Sequence, residues 1–192
     1  SKTTGVFNTA SGFDSLRSNT TGDFNTASGY YSLRSNTTGS YNTANGLDSL
    51  RANTTGDINT AIGMNSLTSN TTGSYNTAVG LDSLLSNTTG NNNTAIGYQS
   101  GDNLTTGSNN IIIGYDINAL AVNSSNTLNI GNLIFGTSID GTESVLSTGN
   151  IGIGTTSPYA KLSVVGEIVS TYFTATSTTA TSTLTDLNFP SG

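Results

Sequence analysis

Cysteine, histidine and tryptophan are absent from the 192 residues, and each absence removes chemistry. Without cysteine there is no disulfide, no thiolate nucleophile and no thiolate metal site; without histidine the usual general base and the commonest metal ligand are gone. Charge is scarce too: five Lys and Arg stand against eleven Asp and Glu, 8% of the chain, for a formal net charge of −6. That balance argues against a nucleic-acid partner, whose phosphates need a basic face. No apolar run approaches the ~18 residues of a membrane-spanning helix. No signal-peptide pattern opens the sequence, and the compartment stays open on this ground. Apolar residues are only 33%, a mixture that would suggest disorder, because so little apolar area offsets little chain entropy.

Disorder does not require apolar letters to return at a fixed register, and here they do. Thr-Thr-Gly recurs at Thr3, Thr20, Thr37, Thr54, Thr71, Thr88 and Thr105, a period of 17. Each copy reads roughly T-T-G-x-x-N-T-A-x-G-x-x-S-L-x-S-N, with Asn8, Thr9, Ala10, Gly12, Ser15 and Leu16 as the first fixed letters. The period is shorter than a helical-pair repeat and is no heptad multiple, and frequent Gly and Asn disfavour helix. One turn of a parallel β-solenoid fits: two short strands, each followed by a tight corner, with equivalent letters stacked about 4.8 Å apart.

The first strand is expected through Val6 to Ser11, Asp57 to Ile62 and Ser74 to Val79, and the second around Ser15 to Arg17. Gly12 and its copies mark the first corner. Asn19-Thr20-Thr21-Gly22 marks the second, where Asn and Gly tolerate positive φ. Alternation assigns the faces. The Ala10 row, which never becomes larger, and the row of Leu16, Leu33, Leu50, Leu67 and Leu84 form a narrow interior, with Asn8 and its copies beside them as an amide ladder. Outward rows begin at Phe7, Ser11 and Phe13. One Leu contributes roughly 2 kcal/mol to a coil whose every residue must be ordered. So thin an interior, with a long apolar stripe left in water, predicts partner chains: a parallel homotrimer, open to end-to-end joining; a monomeric solenoid with a modest exposed aromatic stripe is the alternative.

The phrase Asn93-Thr94-Ala95-Ile96-Gly97-Tyr98-Gln99-Ser100, with its copies, resembles the head repeats of YadA-type trimeric autotransporter adhesins. The resemblance implies a left-handed parallel β-roll, a homotrimer and a role in adhesion. The coil here is longer than the family's, with the extra residues expected in the Ser-Asn-Thr-Thr corner. Gly149 to Pro158 followed by Lys161 to Gly166 is similar to the junction that precedes an intramolecular chaperone in phage tail fibres and bacterial surface fibres, which implies an intertwined neck. A plain strand at Lys161 to Val165 on a small sheet accounts for the same letters.

The expected organisation is a repeat head over 1–107, terminating coils and a connector over 108–148, a neck over 149–169 and a Ser/Thr-rich stalk or linker over 170–192. A loop or hairpin is expected around Asp140-Gly141. No catalytic, cofactor-binding or metal-binding constellation is present, so no enzyme is expected. Arg17, Arg34 and Arg51 share one register and call for acids nearby, Asp14, Asp48 or Asp82, or a partner chain; a solvated ridge is the plainer reading. Asp14, Asp48, Asp82 and Asp116 recur on alternate coils, but without the glycine-and-aspartate nonapeptide of calcium-binding rolls. Asp140 and Glu143 could mimic a catalytic acid pair. Asn19-Thr20-Thr21 and its copies are N-glycosylation sequons. The Thr9 and Thr20-Thr21 rows are similar to the hydroxyl arrays of ice-binding solenoids. The expected function is an extracellular adhesive or structural fibre, at a cell surface or on a virion appendage, that binds a surface or matrix ligand. A phage tail fibre is the alternative, and an ice-binding solenoid a further one.

Overall fold

A computed structural model of the chain describes residues 4–141, 146–166 and 168. The Ser/Thr-rich stretch 170–192 lies outside them. The fold is all-β, with no helix among the described residues: a parallel β-solenoid of about seven 17-residue turns. Each turn contributes one strand to a single sheet ordered as the sequence runs. These strands are β1 (Thr9–Ser11), β2 (Thr26–Ser28), β3 (Thr43–Asn45), β4 (Thr60–Ile62), β5 (Thr77–Val79), β6 (Thr94–Ile96), β7 (Ile111–Ile113) and β8 (Leu128–Ile130). Their pairing is parallel and in strict register, Ala27 on Ala44 on Ala61 on Ala78. The parallel run then stops: β9 (Ile134–Thr137) folds back antiparallel on β8, β10 (Asn150–Ile153) pairs antiparallel with β9, and β11 (Leu162–Val164) pairs parallel with β10.

Two expectations need correction. The first strand is three residues long rather than six, and Ser15 to Arg17 is no strand. Strand geometry fails because, besides the corner glycine, the backbone of the first six coils enters the left-handed region at three rows, those of Phe7 (φ 58), Asp14 (φ 55) and Leu16 (φ 50). Around the turn, Ser32 donates to Gly29, Arg34 to Tyr31 and Asn36 to Leu33, so residues 29 to 36 are successive β-turns. The consequence is visible in burial: Ser32 and Leu33, adjacent in sequence, are both fully buried, which the alternation of a strand forbids. The turns still stack, with Leu33 N donating to Ser49 O at 3.0 Å and Ser35 N to Arg51 O at 3.0 Å.

Nor does the second corner contain positive φ. Asn19 to Gly22 and their copies are absent from the left-handed positions. Glycine is required there by proximity: a Cβ on Gly39 would lie 2.4 Å from Gly56 O and 2.5 Å from Asn36 Oδ1.

The interior holds the expected Ala and Leu rows, fully buried from Ala27 and Leu33 onward, and two amide ladders rather than one. In the Asn8 row, Asn42 N donates to Asn25 Oδ1 at 3.0 Å and Asn42 Nδ2 to Gly56 O at 2.8 Å. In the Asn19 row, Asn53 Nδ2 donates to Asn36 Oδ1 at 2.8 Å and to the same Gly56 O at 2.9 Å. The glycine carbonyls from Gly22 to Gly90 thus each receive one amide from either ladder. That pair of hydrogen bonds is what makes so polar an interior tolerable, since a buried amide without partners is costly.

The pattern changes toward β7 with volume roughly kept. Ile112 takes the Ala position while Gly101 takes the Leu position, and a Cβ on Gly101 would sit 2.8 Å from Ile112 Cδ1. Leu104 ends the Asn19 row, and Asn87 Oδ1, the last acceptor, is left without a partner.

Positive φ suits Asn or Asp far better than a β-branched residue. Ile58 nonetheless adopts φ 56, in the row that later carries Asn92, Asn109 and Asn126. Ile58→Asn is therefore expected to gain about 1 kcal/mol, raising the melting temperature by roughly 2–4 °C. An unchanged or lower midpoint in calorimetry would show that Ile58 packing outweighs the strain.

Candidate functional site

The tube has one flat side, the outward face of β1 to β8. Alternation across each three-residue strand turns the middle residue in and its neighbours out, so the Thr9 and Ser11 rows lie side by side on this face. The Phe7 row borders it on one margin, and the Phe13 row borders it beyond the glycine bend. Rings in these margins stack on their copies one coil away: Phe7 on Phe24 at 4.8 Å, Phe24 on Tyr41 at 4.9 Å, Phe13 on Tyr30 at 5.3 Å and Tyr98 on Tyr115 at 5.0 Å. Because ring faces cover one another, the edges are what meet solvent. Phe7, Tyr41 and Tyr75 are more than half exposed, and Ile58, Ile62, Met64 and Ile96 exceed two-fifths.

No charged residue occurs in these four rows from Phe7 to Asn132. The charges sit on the turns instead. Arg17 pairs with Asp14 at 3.0 Å, Arg34 also reaches Asp14 at 3.5 Å and lies over the Tyr31 ring at 4.7 Å, and Arg51 approaches Asp48 at 3.9 Å. Asp82 has polar amides where an Arg was expected: Asn65 Nδ2 at 2.9 Å and Gln99 Nε2 at 3.4 Å.

The alternate-coil recurrence of Asp has a structural cause. Asp14, Asp48, Asp82 and Asp116 occupy left-handed positions, with Tyr31, Asn65 and Gln99 between them. At one per coil the carboxylates would stand ~4.8 Å apart; at one per two coils they stand ~10 Å apart. A second row behaves alike: Asp23 N donates to Ser40 Oγ at 3.0 Å, Ser40 N to Asp57 Oδ1 at 2.7 Å and Asp57 N to Ser74 Oγ at 3.0 Å. The electrostatic repeat is therefore two coils, 34 residues, while the packing repeat is 17. Where acids do come close, burial, followed by the charge of Asp116, pushes the Asp102 carboxyl above its ordinary range. Among the described residues no group of three or more His, Cys, Asp or Glu is placed to hold a metal.

The remaining sequence candidates fall away from this face. Asp140 lies in the β9–β10 connection, where its carboxylate accepts from Thr148 Oγ1 at 2.7 Å and Thr148 N at 2.8 Å. Those bonds, the Thr148 hydroxyl's first, hold its carboxyl below the ordinary range. Glu143 lies outside the described residues. The sequon asparagines Asn36, Asn53, Asn70 and Asn87 are buried in the amide ladder with no exposure, so the folded tube offers no glycan acceptor in that row. The Thr20 row is also committed: Thr20 Oγ1 donates to Thr37 O at 2.8 Å and Thr37 Oγ1 to Thr54 O at 2.9 Å. Of the threonine rows, the Thr9 row is the one spread across the flat face.

Sequence reasoning missed the Asn19 ladder and the buried Ser15 row, whose hydroxyls bond back to the corner glycines, Ser32 Oγ to Gly29 O at 3.1 Å. The available signal was invariance: Asn19, Asn36, Asn53, Asn70 and Asn87 vary no more than the Ala row does. No membrane-spanning candidate, a helix long and apolar enough to cross a bilayer, occurs among the described residues. Comparison with known protein families, curated proteins and solved structures finds no match to this chain.

Proposed function

We propose that this chain is an extracellular structural and adhesive protein, displayed on a cell surface or a virion appendage. In this reading the solenoid is a left-handed roll that forms the head of a homotrimeric fibre, residues 149–169 are its neck and 170–192 its stalk. The observation that carries the reading is the uncharged outward face of β1 to β8, bordered by aromatic and aliphatic residues of the Phe7 row as far as Tyr75 and of the Phe13 row as far as Tyr115. A lone soluble chain gains nothing from such a stripe, whereas an assembly buries part of it and presents the rest. Adhesion then comes from many weak contacts repeated every coil, and avidity takes the place of a pocket.

Avidity makes a quantitative demand. Removing two coils, residues 40–73, keeps the alternation of Asp and shortens the array without changing any single contact. Retention of beads coated with the chain on glass, matrix protein or cells, measured under flow, should drop at least tenfold. Proportional loss, or none, would sink the avidity reading, and a chain that binds none of the three surfaces would sink adhesion. One observation favours a second reading, ice binding: Thr26, Thr43 and the following threonines lie in one outward register. That reading requires thermal hysteresis, and its absence at millimolar chain ends it.

A further inference from the structure

The chain has no cysteine, so no disulfide can tie one coil to the next. Phenol rings offer another covalent tie where two of them meet. Among the described residues Tyr98 and Tyr115 are the one tyrosine pair that occupies the same row on consecutive coils. Their rings lie 5.0 Å apart, centroid to centroid, and 17° from parallel. The backbone holds this approach, since Gly114 N donates to Ile96 O at 2.9 Å and Asp116 N to Tyr98 O at 2.8 Å. Tyr98 is 38% exposed and Tyr115 75%, which leaves ring edges open to solvent.

The junction these rings span has lost part of its interior bonding. Gly107 O receives Asn93 Nδ2 at 2.8 Å, but Leu104 stands where the second ladder would supply another amide, and Gly101 stands in the Leu row. A covalent bridge here adds a tie where the ladder no longer supplies one.

We propose that Tyr98 and Tyr115 are an oxidative cross-linking site: a one-electron phenol oxidant, a peroxidase supplied with hydrogen peroxide, joins their ortho carbons and ties the sixth coil covalently to the seventh. Each phenol gives up one electron and its hydroxyl proton. The two radicals couple carbon to carbon, the ring hydrogens at the new bond move to the oxygens, and one hydrogen peroxide becomes two waters. Stacking supplies the partner before the radicals form, so coupling within the chain outruns encounter between chains. The site does not depend on the adhesive reading, since it needs only one folded chain.

Tyr41 sits between Phe24 and Ile58 in its row, and Tyr75 between Ile58 and Asn92, so neither has a phenol one coil away in its row. Tyr30 and Tyr31 approach to 4.0 Å, but they are chain neighbours with rings tilted by 42°, and the Arg34 guanidinium lies over the Tyr31 ring at 4.7 Å.

Treating the dilute full chain with a haem peroxidase and hydrogen peroxide tests the site. Under denaturing conditions the product should keep the mass of one chain less two hydrogens and show biphenol fluorescence. Proteolysis should then yield a linked pair of peptides carrying Tyr98 and Tyr115. Tyr98→Phe and Tyr115→Phe each keep a stacked ring and should remove the link, whereas Tyr75→Phe should leave it. In the linked chain, amide exchange of β7 should slow by about tenfold or more. The site is overturned by a product of double mass, by a link that maps to Tyr30 and Tyr31 or to Tyr159, or by one that survives either Phe variant. An unlinked chain in a mixture that couples free tyrosine overturns it equally.

Discussion

Replacing Asn59 by Ala should cost about 3 kcal/mol and lower the melting temperature by roughly 10 °C, although no outward surface changes. Asn59 Nδ2 donates to Gly73 O at 2.8 Å, and its Oδ1 accepts from Asn76 N at 3.0 Å and Asn76 Nδ2 at 3.2 Å. Removing the amide leaves the Asn76 backbone N–H buried without an acceptor, and opens a void in an interior with little else to fill it. The size of the effect follows from the scarcity of apolar packing: a tube held by amide ladders loses more per amide than per methyl group. Asn59→Asp sharpens the test. The carboxylate turns an acceptor toward Gly73 O, where a donor stood, and suffers desolvation as well. Its folded-state pKa must therefore rise above the unfolded value of about 3.9. The penalty is then full above the raised pKa and fades as pH falls through it toward the unfolded value. Urea denaturation from pH 7 to pH 3 should show the Asn59→Asp variant gaining stability relative to Asn59→Ala. A constant gap would mean the ladder is wet. Asn45→Asp, on an exposed residue, should show neither effect.

Gly63→Ala is expected to be at least as damaging, at roughly 3 kcal/mol or more. Gly63 has φ 127, and an added Cβ would stand 2.5 Å from Gly80 O and 2.7 Å from Gly80 C. Those atoms are the backbone of the next coil and cannot step aside without parting the stack. In a solenoid each turn leans only on its neighbours, so the damage stays at one junction. Amide exchange should accelerate first in Thr60–Ile62 and Thr77–Val79, and the melt should broaden or split as the two flanking blocks lose their coupling. Gly39→Ala should weaken its own junction through close approach alone, since its φ is ordinary. A Gly63→Ala midpoint within 1–2 °C of the parent would show that the coils stand farther apart than the stacking requires.

Much of this architecture can be read from the letters. A period of 17 with Ala at one phase and Leu at another fits a stacked coil, because direct superposition explains why the row stays Ala from Ala10 to Ala95. The Asn8 ladder follows from the same logic, since stacked amides satisfy one another. What could not be read is the shape of each coil between those rows. Asn19 serves equally well as a corner residue, a glycan acceptor or a ladder rung, and nothing local separates the three. Only the distance to Asn36, Asn53 and the glycine carbonyls makes it a rung. Likewise, no propensity suggests Phe7, Leu16 or Ile58 in the left-handed region. The stack imposes it, since inter-coil hydrogen bonds on every side of the turn outweigh a local cost of about 1–2 kcal/mol per residue.

The period of 17 pointed to a β-solenoid with a narrow interior, against a composition that by itself suggests disorder, because stacking the repeat on itself gathers one small and one branched apolar row inside. Tertiary contact decided that each coil carries one strand and a run of turns, that two amide ladders share the glycine carbonyls from Gly22 to Gly90, and that the alternating carboxylates stand in left-handed positions. Those properties depend on separations of about 5 Å between residues 17 apart in sequence, a distance that exists only once the coils are stacked.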